Sequence, residues 1–219
     1  MKIINFKSKP KNNFFAPEWN YFLGEDFIKD INFNDLTKFL LNKKKQILKL
    51  PNTLKKNKIS DGYTGLGKNS TTARFDKYNV LTWENENIYK LKNNILNFYK
   101  NFIFFFKQEL PKELYIQCWV NIMNKGEKIN AHLHSVSPDC YLGGHVCVQV
   151  NNTSTYYINP INQINEPEIY KSENKIGKIT LFQNNIPHYT DEHKFEEKRI
   201  TIAFDLSLIK FSENYLKII

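Results

Sequence analysis

The chain has 219 residues, of which 41% are hydrophobic and 15% aromatic. This apolar content excludes a disordered chain, and the length suits one domain with a substantial hydrophobic core. No segment reaches the roughly 18–20 consecutive apolar residues of a membrane span, and the first residues lack the pattern of a secretory signal. Three cysteines cannot all pair with one another, which is typical of a reducing compartment. We therefore expect a soluble, cytoplasmic protein with no membrane partner.

The formal net charge of +9 comes almost entirely from lysine, because only Arg74 and Arg199 are arginines among the 31 basic residues. Proteins that read nucleic acids rely on the planar guanidinium group for bidentate contacts. Lysines spread along the whole chain instead indicate a solvated surface, so we expect no nucleic-acid partner. The two arginines are candidates for positions that require a planar, bidentate hydrogen-bond donor, which lysine cannot provide.

The N-terminal half is predicted to be a mainly helical support with an irregular beginning. Residues 1–33 contain prolines and aromatics without a clear period and are predicted to form an irregular arm. Apolar residues recur at helical spacing in 34–50, which Pro51 ends, and again in 85–108. Between the helices, the glycine-rich segment 60–83 predicts a loop followed by a short strand. We expect this loop to act as a lid over a binding site in the β-rich half.

After Pro111 the apolar pattern changes from helical to alternating. Short β-rich runs separated by Asn, Gly and Pro indicate an antiparallel sandwich or jelly roll, and helices followed by strands indicate an α+β fold. We predict one domain over 1–219, with 1–110 as support and 111–210 as a jelly-roll core. Two facing antiparallel sheets are expected, with the second helix packed across one of them. The predicted strands are 114–122, 144–150, 155–158, 178–183 and 199–208.

All five histidines lie in the β-rich half, and three of them form a candidate metal site. His132 and His134 are two positions apart, so on an extended chain their imidazoles point to the same side. His188 follows the predicted strand 178–183. Imidazole binds iron, zinc, copper and nickel, although a single H-x-H pair is also compatible with ordinary surface residues. His145 and His193 are predicted to be structural or surface residues.

Residues 115–208 resemble a family of iron(II)/2-oxoglutarate oxygenases of the prolyl-hydroxylase-like, double-stranded β-helix type. The first block of the resemblance consists of WVNI (119–122), Gly126, HLH (132–134) and LGG (142–144). The second block consists of GKITLF (177–182), IPH (186–188) and EKRITIAF (197–204). The resemblance implies an enzyme that binds Fe(II) and consumes 2-oxoglutarate and O2 to hydroxylate a C–H bond. Its substrate would be a peptide side chain, an amino acid or another small metabolite.

The resemblance also implies residue roles. His132 and His188 would bind the iron. Arg199 would bind the C5 carboxylate of 2-oxoglutarate as a bidentate partner, and Thr201 and Asn121 would add hydrogen bonds. The competing interpretation of Arg199 is a surface ion pair with a neighbouring glutamate. Trp119 and Tyr141 are candidates for the pocket wall.

The sequence departs from the family at the third metal ligand. Most of these oxygenases carry a carboxylate two residues after the first histidine, where this chain has His134. Three arrangements are open: His134 is a ligand, Asp139 takes its place, or the position is empty.

Two other functions are compatible with the same residues. A cupin-type metal enzyme would use a similar first motif without 2-oxoglutarate, although the second cupin motif fits poorly. A non-catalytic jelly-roll binding module would leave His132, His134 and His188 apart from one another.

Overall fold

The computed structural model describes residues 1–55, 58–59, 61–134, 139–161 and 168–219. Two α-helices, α1 (Phe33–Lys49) and α2 (Glu86–Phe105), precede most of the β-structure. No helix in these ranges combines the length and the apolar character that crossing a membrane requires. The strands are β1 (Lys2–Lys7), β2 (Asn20–Phe27), β3 (Leu54–Lys55), β4 (Lys58–Ile59), β5 (Tyr115–Met123), β6 (Cys140–Gln149), β7 (Ser154–Ile158), β8 (Ile169–Glu173), β9 (Lys178–Gln183), β10 (His188–Thr190), β11 (Arg199–Ser207) and β12 (Leu216–Lys217).

Two antiparallel sheets face each other, as the alternating pattern predicts. The larger sheet has the order β1-β2-β9-β6-β11-β5-β12, and the smaller one has the order β10-β7-β8. Tyr157 of β7 packs against Phe182 of β9 with 5.5 Å between ring centroids, in a cluster that joins the two sheets. The predicted α+β class with a jelly-roll, double-stranded β-helix core is confirmed.

Alternation along β11 separates the hydrophobic core from the candidate site. Ile200, Ile202, Phe204 and Leu206 are fully buried in the main core with residues of both helices. The intervening residues point to the opposite face of the sheet, because successive side chains of a strand alternate. Arg199, Thr201, Ala203 and Asp205 line a cavity on that face.

Both predicted helices are present and begin at side-chain caps. Asn32 accepts a hydrogen bond from the Asp35 N–H at the start of α1, and Asn85 accepts one from Asn87 at the start of α2. The buried face of α2 packs across the larger sheet. The contact is tight at Gly24 of β2, where a Cβ atom would lie 2.9 Å from the Phe102 ring.

The prediction of an irregular arm for residues 1–33 is wrong. They contain β1 and β2, and β2 pairs with β9, which joins the N-terminal segment to the strands of the C-terminal half. Leu23, Gly24 and Glu25 are successive buried residues, so β2 shows no alternation of exposed and buried positions. A strand buried on both faces lacks the period-2 signal that identifies half-buried strands.

The short strand predicted within 60–83 is also not found in the described residues 61–83, where 3₁₀ turns occupy Thr72–Arg74 and Val80–Thr82. This segment lies along the edge of β5 that β12 leaves uncovered. The Thr71 hydroxyl donates to the Val120 carbonyl at 2.7 Å, and the Tyr78 hydroxyl accepts from the Val120 N–H at 3.0 Å. Side chains of this segment therefore satisfy the backbone groups at the edge of β5, as a neighbouring strand would.

Candidate active site

The three histidines of the candidate metal site come together at one end of the smaller sheet. His132 and His188 form an antiparallel bridge in which each backbone N–H donates to the other carbonyl at 3.1 Å. His134 follows two residues later and lies beside both rings. One ligand atom from each of the three side chains lies within 4.8 Å of the others. This convergence contradicts the binding-module interpretation, which required the histidines to be apart.

Each of the three rings is oriented through its Nδ1 atom. Nδ1 of His132 bonds to the Asn130 carbonyl at 2.9 Å, and Nδ1 of His188 bonds to the Ile186 carbonyl at 3.3 Å. Nδ1 of His134 bonds to the carboxylate of Asp205. Such outer partners fix the ring and its tautomer, leaving Nε2 as the ligand atom.

Burial keeps two of these imidazoles in the form that binds metals. It lowers the pKa of His132 to about 4, with a further contribution from neighbouring His134. It also lowers the pKa of His188 well below its ordinary value, again with like-charge contributions from the adjacent histidines. Neutral imidazoles with free Nε2 atoms suit a divalent transition metal.

Asp139, the alternative third ligand, does not belong to this group of converging side chains within the described residues. Its backbone carbonyl accepts hydrogen bonds from Leu208 N–H and Ser207 Oγ, at the end of β11 beyond the cavity-lining residues. His134, by contrast, lies in the group with His132 and His188. The carboxylate near the cluster is Asp205, which the sequence analysis missed, although its alternation with Arg199 and Thr201 on β11 places it on the cavity face.

Arg199 is 1% exposed and lines the same cavity. Its Nη1 contacts the Met123 sulfur at 3.0 Å and its Nε donates to Thr153 Oγ1 at 3.4 Å. In the described part of the chain no carboxylate lies within 4.0 Å of the guanidinium. Glu196 pairs with Lys125 at 2.5 Å, so the predicted alternative, a surface ion pair between Arg199 and a neighbouring glutamate, is wrong.

A buried cation without a carboxylate partner is costly, because desolvation disfavours its charged form. Burial accordingly lowers the pKa of Arg199, and the Coulombic effect of Asp191 offsets this in part. Asp191 is itself bound to the Ser154 N–H at 2.8 Å. The pocket beside Arg199 is therefore suited to an anionic ligand.

Thr201 and Asn121 lie side by side in this pocket, since they are direct partners in the pairing of β11 with β5. Both are buried and line the cavity. Asn121 Oδ1 accepts a hydrogen bond from Thr72 Oγ1 at 2.6 Å, which orients the amide so that its NH₂ group is the donor left for a ligand.

The cavity has a volume of about 290 Å³ and extends from Arg199 past the histidines to a mouth formed partly by residues 61–64. Tyr63 at this mouth is 79% exposed and has a φ of 62°, a left-handed conformation that is uncommon outside glycine. Trp119 lines the cavity, as predicted. Tyr141 does not; its hydroxyl bonds to that of Tyr99 on α2.

His145 departs from its predicted role as a structural or surface residue, because it is 9% exposed and lines the cavity. The pairing of β6 with β11 brings His145 next to the site, and the spacing of the histidines in the sequence does not reveal this pairing. His193 is buried outside the cavity and bonds to the Glu197 carbonyl, which is a structural role.

A comparison with protein-family models finds a match to the region that contains the candidate site. Residues 117–205 match the family model described as "Putative 2OG-Fe(II) oxygenase". The resemblance predicted from the sequence is thus confirmed for the part of the chain that carries the three histidines, Arg199 and Asp205. No curated protein sequence matches the chain significantly.

Solved structures share the fold over most of the chain. A prolyl-4-hydroxylase from Pseudomonas putida has a TM-score of 0.56 at 9% identity, over 84% of this chain and 92% of its own. The epimerase SnoN from nogalamycin biosynthesis, in complex with Fe3+, alpha ketoglutarate and nogalamycin RO, has a TM-score of 0.51 at 8% identity, over 84% and 78% of the two chains.

Other matches are shorter. The chain spans 48% of SnoN in a second structure, with a TM-score of 0.37, and 60% of an oxidoreductase of the 2OG-Fe(II) oxygenase family from Burkholderia pseudomallei, with a TM-score of 0.42.

Proposed function

Because residues 117–205 match the 2-oxoglutarate/Fe(II) oxygenase family and the chain has the fold of these enzymes, we propose that the protein is such an oxygenase. It binds Fe(II), consumes 2-oxoglutarate and O2, and hydroxylates a C–H bond of a peptide side chain, an amino acid or another small metabolite. When bound, these groups supply the oxidation, in which 2-oxoglutarate is converted to succinate and CO2. The protein's own residues bind, orient and exclude water.

In this proposal His132, His134 and His188 hold the iron through Nε2. The fit rests on the donor set: three imidazoles whose Nδ1 atoms are all engaged, with ligand atoms within 4.8 Å of one another. Asp205 does not bind the metal in this arrangement. It holds the His134 ring in place and increases the basicity of its Nε2, as a carboxylate does behind many metal-binding histidines.

The observation that carries the proposal is the buried Arg199 without a carboxylate partner. A dicarboxylate cosubstrate supplies the missing negative charge at this position. The guanidinium fork matches carboxylate geometry with two parallel hydrogen bonds, which a lysine cannot provide. Thr201 and the amide of Asn121 then add hydrogen bonds from the adjoining strands.

The opposite end of the cavity is the substrate entrance in this proposal. Tyr63, Leu133 and Tyr215 contribute exposed or half-exposed apolar surface there, and Asp61 adds a carboxylate. Apolar surface with a few polar groups is the usual composition of a small-molecule or side-chain site. The aromatic walls Trp119 and Phe75, which pack together at 5.6 Å, exclude water from the interior.

The proposal is tested by adding 2-oxoglutarate to anaerobic, Fe(II)-loaded protein and recording the metal-to-ligand charge-transfer absorbance. We expect a saturable band and, after O2 is admitted, formation of succinate. His188→Ala should abolish both, whereas Lys100→Ala, a change on α2 outside the cavity, should leave both intact. An iron-loaded protein without the band would contradict the proposal, and iron-dependent O2 consumption without 2-oxoglutarate would instead support a cupin-type enzyme.

A further inference from the structure

His145 is a buried polar side chain in the cavity to which neither the metal site nor the arginine pocket assigns a role. On β6 it pairs with Ala203 of β11 on one side and Thr180 of β9 on the other. In the same register Cys147 pairs with Thr201 and Gly143 pairs with Asp205, so His145 lies along the sheet between the arginine pocket and Asp205, the partner of His134. A ligand that reaches from Arg199 to the metal passes this side chain.

The tautomer of His145 follows from its neighbours. The hydroxyl of the fully buried Tyr157 lies 3.5 Å from Nδ1 of His145. Burial raises the pKa of Tyr157 well above its ordinary value, so the phenol keeps its proton and can donate it. Burial, aided by Arg199 and Lys178, lowers the pKa of His145 to about 3, so the imidazole is neutral. A neutral imidazole carries one N–H, and the proposal assigns it to Nε2, with Nδ1 accepting from the Tyr157 hydroxyl.

The Nε2–H donor of His145 forms no hydrogen bond to any protein atom among the residues described. His145 lines the cavity, where a ligand can accept this hydrogen bond. A buried donor without such a partner would cost about 1–3 kcal/mol.

We propose that Nε2–H of His145 donates a hydrogen bond to a carboxylate oxygen of bound 2-oxoglutarate, between Arg199 and the iron-binding histidines. This inference rests on the proposed function. A neutral donor suits the position, because a second cation beside Arg199 would be costly to bury before the cosubstrate arrives. Arrival of the dianion favours the protonated imidazole, and both the neutral and the protonated forms keep a proton on Nε2.

Two substitutions of similar size separate this role from simple packing. The amide nitrogen of His145→Gln reaches the position of Nε2, whereas the shorter His145→Asn reaches only the position of Nδ1. We expect His145→Asn to raise the dissociation constant of 2-oxoglutarate by roughly one to two orders of magnitude, the value of one hydrogen bond to a charged acceptor. His145→Gln should stay within about threefold of wild type. Iron affinity should be unchanged in both variants.

The measurement is the charge-transfer titration of anaerobic, iron-loaded protein, together with a separate titration of iron into the metal-free protein. Tyr157→Phe provides a second route: without the hydroxyl, the Nδ1-protonated tautomer becomes populated, and 2-oxoglutarate binding should weaken about two- to threefold. Equal cosubstrate affinity in wild type and His145→Asn would overturn the role of His145 while leaving the oxygenase proposal intact. A wild-type protein that binds iron but no 2-oxoglutarate would overturn both.

Discussion

The two arginines of the chain are both buried, but they meet opposite environments. The guanidinium of Arg74 donates to backbone carbonyls around the end of α1, including Leu50 at 3.1 Å and Ser70 at 2.9 Å. The contact with Leu50 satisfies a carbonyl at the end of the helix, and the contact with Ser70 joins that end to the following loop. Among the residues that the structure describes, the hydrogen-bond partners of the Arg199 guanidinium are one sulfur and one hydroxyl. We infer a structural role for Arg74 and a ligand-binding role for Arg199.

This contrast gives a matched pair of substitutions. Arg199→Lys keeps the charge but loses the fork, so we expect the 2-oxoglutarate dissociation constant to rise by roughly one to two orders of magnitude, with iron content unchanged. Arg74→Lys should lower the melting temperature and leave cosubstrate affinity unchanged. Titrations of both iron-loaded variants measure the difference. An unaltered affinity in Arg199→Lys would remove this residue from the site.

The glycine pair 143–144 offers a second comparison at the scale of single residues. A Cβ atom at Gly143 would lie 2.7 Å from His134 Nδ1, whereas one at Gly144 would lie 2.5 Å from the Thr180 backbone carbonyl. We expect Gly143→Ala to displace the His134 ring and weaken metal binding about 10–100-fold, the usual effect of disturbing an outer partner. Gly144→Ala should mainly destabilise the fold. Calorimetric Co(II) titration and thermal melting of both variants test this, and normal metal affinity in Gly143→Ala would contradict it.

At the scale of elements, the segment that contains the two 3₁₀ turns, Thr72–Arg74 and Val80–Thr82, lies along β5 in the place of a neighbouring strand. The Thr71 hydroxyl contacts both the Val120 carbonyl at 2.7 Å and the Ile122 N–H at 3.3 Å. The same segment carries Thr72, which orients Asn121 at the site. The N-terminal support thus contributes directly to the geometry of the cavity.

Thr71→Val preserves the side-chain shape but leaves the Ile122 N–H without its hydroxyl acceptor and the Val120 carbonyl with only the long bond from the Tyr78 hydroxyl at 3.4 Å among the described residues. We expect a loss of about 1–3 kcal/mol in the free energy of unfolding and faster hydrogen exchange at Ile122. Thr37→Val, at a buried position of α1, is the control and should leave the exchange of Ile122 unchanged. Denaturant unfolding and amide exchange provide the two readouts. Slow exchange at Ile122 in Thr71→Val would show that this hydroxyl does not protect the strand edge.

The sequence predicts elements whose signal is local and misses those that depend on distant partners. Both helices and five strands follow from periodicity within short windows, and the enzyme class follows from motifs within 119–204. Strand β2 was missed because its pattern reflects burial between β1 and β9. The role of Asp205 depends on His134, which lies 71 positions away. Such contacts are fixed by the register of the sheet, which no local pattern contains.

At the scale of the whole molecule, buried neutral histidines make the metal-free protein sensitive to acid. The pKa is lowered to about 4 for His132 and about 3 for His145, and it lies well below the ordinary value for His188. The unfolded chain takes up protons on these residues near pH 6.5, before the folded chain does. Stability is therefore complete above that pH and declines as the pH falls toward 4.

Each of these histidines can contribute up to about 1.4 kcal/mol per pH unit within that window. We expect the melting temperature of metal-free protein to fall by several degrees between pH 7 and pH 5. Added Ni(II) should stabilise the protein at pH 7 and much less at pH 5, because protons compete for the same nitrogens. A melting temperature independent of pH across this range would contradict the neutral, buried state of the three side chains.

The central position of β11 determines when the site can form during synthesis. This strand lies between β5 and β6, both of which are translated before it. At about 5–20 residues per second, the nascent chain carries these two strands without their shared partner for on the order of ten seconds. Asp205 and Arg199 are also made after all three histidines. The proposed metal site therefore reaches its final geometry late in synthesis, and chaperones that shield open strand edges should increase the yield of folded protein.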